Sequence, residues 1–381
     1  MPERPDWRSQ ADALGFRFHS LGGVPYWDES AHYRFRLDEV ENDLERPTEE
    51  LHELCMDLVS RAVRDERYLR RLGIPERFWD YVRTSYLRGD PHLYGRMDFA
   101  YDGHGPAKLY ELNYDTPTSL YEAAVFQWIW LQQCIERGTL PPATDQFNSV
   151  QEKLLRVFAA LAPQVPGVLH FACVRDSLED RATVDYLADL AHQCGIATHY
   201  VAIEDIGRTA EGRFTDAEDH LIEAIFKLYP WEFLFADEFS QYLQSSAVTW
   251  FEPPWKAILS NKGALALLWE LHPGHPNLLP TFFEEPGEAL CAGWVRKPLC
   301  SREGANVEIL TATGEHVSVP GPYGDIPTVR QAFHALPRFG EYFALIGSWV
   351  IGDRAAGTGI REDSSLITRD SARFVPHVIA A

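Results

Sequence analysis

The sequence has few cysteines, and none of them falls in a CxxC pair: Cys55, Cys134, Cys173, Cys194, Cys291 and Cys300 are scattered over 381 residues. This excludes a disulfide framework and a cysteine-based zinc site, and it points to reduced, mostly buried thiols in a cytoplasm. No run approaches the ~20 apolar residues of a membrane span. The N-terminal MPERPDWRSQADALGF has no apolar signal core. The stretch from Val125 to Leu131 is short and carries Gln127, so a buried helix is expected there. Positive charge is scarce: 35 Lys and Arg stand against 56 Asp and Glu, a formal −21. With no basic stripe, a nucleic-acid partner is excluded. The acidic balance either draws a cationic small substrate or simply keeps the protein soluble. Also missing are a GxGxxG turn after the first strand of the α/β region, a Walker A loop, internal repeats and low-complexity linkers. No convincing Cys–His or Ser–His set offers a protein nucleophile.

What remains is an ordinary globular composition, 45% apolar and 24% charged. The 11 Trp and 21 Phe imply bulky, well-filled cores. The length allows two or three domains. Residues 1–30 read as irregular, with Ser30 at the end of GGVPYWDES as a helix cap. Residues 36–90 read as mostly helical. Leu51, Leu54, Cys55, Leu58, Val59 and Ala62 recur at helical spacing, with a start expected at Thr48. SLYEAAVFQWIWLQQCIERG reads as a helix closed by Gly138. Between 150 and 250 the pattern is α/β: a strand in GVLHFACV, an amphipathic helix to Gly195, then a strand in IATHYVAIEDIG. Strand–helix–strand on this scale implies a parallel βαβ unit, extended by AIFKLYP and VTWFEPP. From 255 onward the chain reads α+β, with strands in GWVRKPL, NVEIL, TVRQAF, YFALIGSWVIG, GTGIRED and SLITRD. Proline joints at Pro141–Pro142 and Pro253–Pro254 suggest boundaries. They give a 1–140 helical segment plus hairpin, a 141–252 α/β domain and a 253–381 nucleotide-binding region.

The most informative stretch is RMDFAYDGHGPAKLYELNYDTPTS, from Arg96 to Ser119. Two short apolar runs flank a DGHGP turn, which predicts a β-hairpin over 91–115. Residues two apart on a strand share a face, so Arg96 and Asp98 point together, as do Glu111 and Asn113. Two carboxylates and an amide oxygen without His or Cys suit Mg²⁺, which is usually shared with substrate phosphates. A neighbouring Arg suits phosphate oxygens. The same pattern also describes a solvated hairpin face with a salt bridge. Downstream, Lys297 ends the VRKPL run before CSREGAN, residues 300–306. A strand lysine before a small Gly-containing loop either pairs with nucleotide phosphates or simply precedes a turn. Lys262, before the helix that begins in NKGALALLWE, is likewise a phosphate partner or a solvated helix-start lysine.

Taken together, these pieces resemble the synthetase-type, ATP-grasp region of the glutathionylspermidine synthase family, especially its short stand-alone bacterial members. The carriers are RPDWR, the Arg96–Asp98 pair, ELNYDTPTSLYEAA, FQWIW, DQFNSVQEKL, KLYPWE, WKAILSNK, RKPLCSREGANV, LIGSW and GIRED. The resemblance implies a permuted ATP-grasp fold of mixed α+β and α/β character, in which the metal-binding strands precede the nucleotide lysines. A βαβ pre-ATP-grasp domain and an N-terminal helical segment complete it. By position it implies Mg²⁺ at Asp98, Glu111 and Asn113. Arg96 would act on the transferring phosphoryl, and Arg361 would lie near the acyl substrate. Lys262 and Lys297 would bind ATP phosphates under a lid of Ser301, Arg302, Gly304, Ala305 and Asn306, with Gly304 as its flexible point. Gln331 would fall by the adenine. Thr116 and Thr118 stand where the family places serines that hold the acid. Glu232 would either meet the amine or cap a helix. The implied reaction joins a peptide-like acid, such as glutathione, to an amine, such as a polyamine, through an acyl-phosphate made from ATP. The alternatives are a phosphotransferase using the same ATP site and a non-catalytic nucleotide-binding protein. No amidase activity is expected, because the matched segments begin almost at residue 7. A monomer or homodimer is expected.

Overall fold

Leu51, Cys55, Leu58, Val59 and Ala62 form the buried stripe of a helix over Arg46–Ala62. The computed structural model describes residues 3–21 and 23–380. Helical backbone starts earlier than Thr48: it runs from Leu37–Glu39 through a π-helical stretch, Val40–Glu45. Pro47 has no N–H to donate, so one i→i−4 bond is missing where the wide turn meets the α-helix. Thr48 lies inside, with its hydroxyl 2.6 Å from the Leu44 carbonyl and 2.7 Å from Ser348 Oγ. The first 30 residues are likewise not all irregular. A helix spans Trp7–Ala13, with Trp7 and Ala11 buried. Ser30 caps no helix; the next element is the strand Tyr33–Phe35, which pairs in parallel with His377–Ile379. In RPDWR, buried Arg4 reaches Glu29 at 2.8 Å.

Three main sheets are present among the described residues. A parallel sheet has the order Thr249–Phe251, Ala224–Leu228, Val168–Cys173, Ala197–Ala202. The helix Leu178–Gln193 makes the crossover between the last two, as the βαβ pattern predicts. An antiparallel sheet has the order Thr281–Phe283, Thr328–Ala332, Trp294–Pro298, Glu308–Leu310, His316–Ser318. The third sheet carries the hairpin. Its path is Arg373–Val375, Arg354–Asp363, Tyr342–Ile351, Tyr94–Ala100, Lys108–Asn113. The 94–100 strand therefore lies between its hairpin partner and a strand some 250 positions away. Met97 and Phe99 enter one core with the 46–62 helix, while Tyr94 and Trp349 enter a second. SLITRD is a loop rather than a strand. Asp363 holds it by accepting from Ser365 N at 2.8 Å and from Arg369 N at 3.0 Å. Such side-chain-to-backbone bonds compete with a β ladder.

Two buried ion pairs fasten the hairpin to its surroundings. Lys227, in KLYPWE, reaches Asp115 at 2.5 Å, and Asp115 also accepts from Trp231 N at 2.8 Å. Lys256, in WKAILSNK, pairs with Glu252 and donates to the Tyr94 carbonyl at 2.6 Å. Glu252 in turn accepts from Leu93 N and Tyr94 N. Both motifs thus position the start and end of the hairpin. Of the six thiols, Cys55, Cys134 and Cys173 are buried, Cys194 and Cys300 are half-buried and Cys291 is exposed; none is in a disulfide. No helix among the described residues is long and apolar enough to cross a membrane.

Candidate active site

Strand register decides where the hairpin's polar residues meet. Arg96 pairs with Asn113 and Asp98 with Glu111, and a bulge follows directly between Asp98 and Phe99. All four side chains consequently share one side of the sheet. That side floors a cavity of about 350 Å³, whose walls include Lys297, Arg302 and Glu179 from the other two layers. Asp98 is 3% exposed. Its carboxylate accepts from Arg96 at 2.7 and 3.0 Å, from Arg361 Nη2 at 3.2 Å and from Asn113 Nδ2 at 3.3 Å. Burial alone would raise its pKa, but the guanidinium of Arg96 and then that of Arg361 hold it below the usual carboxylate range. The hairpin face is therefore a buried charged floor, not the solvated surface that its pattern also allowed.

Gly347, in LIGSW, makes room for this arrangement. A Cβ there would lie 2.8 Å from Arg96 Cδ. Arg96 is also held at its far end, where Nη1 donates to the Thr118 carbonyl at 2.6 Å. Lys262 reaches Glu111 Oε1 at 2.9 Å and the Ser301 carbonyl at 2.6 Å. Lys297 reaches Gln331 Oε1 at 2.7 Å and the Tyr110 carbonyl at 2.9 Å. Burial pushes the Lys297 amine down to about 8, and Lys262 adds to that shift. Arg302 bridges Thr116 Oγ1 at 2.7 Å and Glu232 Oε1 at 2.9 Å. Glu232 occupies the first turn of the short helix Trp231–Ala236 and also lines the cavity.

Thirteen of the sixteen sequence-derived site residues line this one cavity: Arg96, Asp98, Glu111, Asn113, Thr116, Thr118, Glu232, Lys297, Ser301, Arg302, Gly304, Gln331 and Arg361. Lys262 stands behind them, joined to Glu111 and Ser301. Ala305 and Asn306 do not line it. Asn306 has φ 57°, and its Oδ1 accepts from Tyr323 N at 2.8 Å, which fastens the base of the loop. Gly304 has a left-handed backbone. Its φ is 72°, and a Cβ would lie 2.5 Å from Ile367 Cγ2, so glycine lets the loop seat against 367–368.

Sequence reading missed an acidic wall of the same cavity. Glu179 and Asp180 occupy the first turn of the 178–193 helix, capped by Ser177 Oγ, which accepts from Asp180 N at 3.1 Å. Glu303 and Asp370 join them around the cavity. Burial raises the Glu179 carboxyl to about 8, and repulsion from Glu122 adds to this. The signal was legible: DSLED follows a buried strand, and the carboxyl ends of such strands are where ligands sit in α/β sheets.

Several observations bear on what this donor set would hold. Four cations, Arg96, Lys262, Lys297 and Arg361, face only two carboxylates, Asp98 and Glu111. At that cationic floor a divalent ion carried on a polyphosphate is better accommodated than a bare one. Among the described residues, Ser301 Oγ is buried without a hydrogen-bond partner, as a phosphate-facing hydroxyl would be. Asp98, Glu111 and Asn113 therefore fit a magnesium ion that arrives with nucleotide.

A profile for the pre-ATP-grasp region of glutathionylspermidine synthase matches residues 1–380. The chain belongs to the glutathionylspermidine synthase family. Within that family it is 40% identical to a Haemophilus influenzae protein provisionally named an acid–amine ligase, over 99% of this chain and 97% of that one. Trypanothione synthetase of Crithidia fasciculata is 30% identical over 84% of this chain, which spans 52% of the synthetase. The bifunctional glutathionylspermidine synthetase/amidase of Escherichia coli is 25% identical over 98% of this chain, which spans 63% of that protein. A glutathione synthetase-like effector from Globodera pallida superposes with TM-score 0.58 over 100% of this chain and 98% of its own, at 10% identity. That likeness concerns the fold, which is of the ATP-grasp type and mixes helix with sheet. In this glutathionylspermidine synthase family chain Asp98, Glu111 and Asn113 precede Lys262 and Lys297 in the sequence.

Proposed function

We propose that this family member is an ATP- and Mg²⁺-dependent ligase that joins a peptide-like acid to an amine through an acyl-phosphate. Its enzyme class is ATP-dependent C–N ligase, in keeping with the names its relatives carry. One observation carries the finer reading. The cavity has a cationic floor at Arg96, Arg361 and Lys297 and an acidic wall at Glu179, Asp180, Glu303 and Asp370. A phosphoryl donor and an acid fit the first, and a cationic amine fits the second.

In the first step a carboxylate oxygen of the acid attacks the γ-phosphorus, and the bond to the β-phosphate oxygen breaks, releasing ADP. Lys262 and Lys297 sit to hold the phosphates, with Ser301 Oγ as a further donor. Arg96 and Arg361 lie where the transferring phosphoryl and the acid come together, and their fixed guanidinia supply charge without reorganisation. Magnesium held by Asp98, Glu111 and Asn113 would neutralise phosphate charge. In the second step the amine nitrogen attacks the acyl carbon, phosphate leaves and the amine loses a proton. Thr116, clamped by Arg302, and Thr118 stand beside the acid. Loop 300–306 keeps water from the acyl-phosphate, which would otherwise hydrolyse. The chemistry needs no protein nucleophile.

The test mixes protein, ATP and Mg²⁺ with pairs of γ-glutamyl peptides and polyamines, following ADP release and product mass. Turnover is expected only when acid and amine are both present. Asp98→Asn and Glu111→Gln should each lower kcat by about 10²–10³. Unchanged turnover in both variants would sink the proposal. A stable phosphorylated product formed without amine would mark a phosphotransferase instead.

A further inference from the structure

A second polar cluster lies away from the cavity, at the edge of the parallel sheet. His170 and His199 pair across neighbouring parallel strands, with ring centroids 5.5 Å apart. The turn that follows the strand Phe214–Thr215 brings Asp216, Glu218 and His220 up to them. Asp216 is buried, and its two oxygens have different duties. Oδ1 accepts from Glu218 N at 3.0 Å and His220 N at 2.9 Å, which fixes the turn. Oδ2 faces three imidazoles: His170 Nε2 at 3.4 Å, His220 Nδ1 at 3.3 Å and His199 Nε2 at 3.7 Å. Glu218 Oε2 lies 3.4 Å from His199 Nε2.

These separations are long for charge-assisted hydrogen bonds, which fall near 2.7–2.9 Å. The Arg96–Asp98 pair, at 2.7 Å, shows what this chain does when two groups bond directly. Between the candidate ligands, His199 Nε2 stands 3.4 Å from Glu218 Oε2 and 3.7 Å from Asp216 Oδ2, near the edges of a zinc tetrahedron. With bonds of about 2.0–2.1 Å, neighbouring ligand atoms stand roughly 3.3–3.4 Å apart. One atom each from His199, Asp216 and Glu218 lies within 4.8 Å of the other two. Imidazole with two carboxylates is a zinc-type donor set, and the two negative charges balance a divalent ion.

We propose that His199, Asp216 and Glu218 form a zinc-type divalent metal site, with His170 and His220 positioning Asp216 and water completing the coordination. Such an ion ties the 214–220 turn to the edge strand Ala197–Ala202, so its role is structural. None of the five residues lines the catalytic cavity, and the inference stands whether or not the ligase reading does.

The experiment strips the full-length protein with chelator and titrates Zn²⁺ by calorimetry in excess Mg²⁺, which masks hard-oxygen sites. One Zn²⁺ per chain is expected, with at least tenfold weaker binding in His199→Gln and Asp216→Asn. Co²⁺ should give the visible bands of a low-coordinate nitrogen–oxygen site in the parent protein alone. Zn²⁺ should raise the melting temperature of the parent but not of the variants, and a turnover assay with Mg-ATP should not distinguish His199→Gln from the parent. If Asp216→Asn fails to fold, His199→Gln decides, because His199 is half-exposed. Sub-stoichiometric binding in the parent, or equal binding in parent and His199→Gln, overturns the site.

Discussion

Asp98 shows how one side chain can be both structural and chemical. Its oxygens are occupied by Arg96, Arg361 and Asn113, so the floor of the cavity is preorganised before any ligand arrives. The residue that permits this is one the sequence hides. Gly347 faces Asp98 in the ladder, and its missing side chain is the space that Arg96 fills. Gly347→Ala should therefore push Arg96 off its pins at Asp98 and Thr118. Overpacking of this kind costs about 1–3 kcal/mol, but the diagnostic result is kinetic. kcat should fall at least tenfold while the protein remains folded by circular dichroism. An alanine variant with parental kcat would remove Gly347 from the account. Arg96 and Asp98 themselves were legible, because a period-two pattern puts alternate residues on one face. Gly347 was not, because a glycine in a strand does not say whose side chain it admits.

At the level of elements, the hairpin was readable and its fastening was not. DGHGP between two apolar runs specifies the turn, and register then follows from the ladder. Asp115 ends that hairpin in a fully buried pair with Lys227, on a strand of a different sheet. Lys227→Met removes one charge and leaves Asp115 uncompensated in the core. The expected loss is about 3–5 kcal/mol, seen as a lower melting temperature and urea midpoint. A Lys227→Met, Asp115→Leu double variant should recover much of it, since replacing both partners removes the unpaired charge. A double variant no more stable than the single would show that the pair acts through something other than charge. The same scale explains two misreadings. Thr48 resembled a helix start, yet Pro47 only interrupts a helix already under way. SLITRD read as a short strand, yet Asp363 captures its backbone locally.

At the scale of the whole molecule, three layers bring opposite charges to one cavity within a chain of net −21. Lys297, on the antiparallel sheet, is held down to about 8, and Glu179, on the α/β layer, is held up to about 8. The signs predict opposite pH dependences for the two substrates. As pH rises through about 8, Lys297 of the free protein loses its proton and its charge, so nucleotide binding should weaken. As pH falls through about 8, Glu179 gains a proton and loses its charge, so binding of a cationic amine should weaken. Steady-state profiles from pH 6 to 10 check both: KM for ATP should climb on the alkaline side and KM for the amine on the acid side. A KM for ATP that stays flat to pH 10 would count against Lys297 as a phosphate ligand. By itself the sequence determined the hairpin, the βαβ unit, the family and thirteen of the residues that line the cavity, because strand and helix periods and long shared motifs are local properties of the chain. Only the tertiary structure decided that the hairpin pairs with the 342–351 strand, that Glu179 and Asp180 line the same cavity as Lys297, and that His199 meets Asp216. Those contacts join segments far apart in the chain, and what selects them is the joint burial of apolar faces and the pairing of charges that cannot be buried alone.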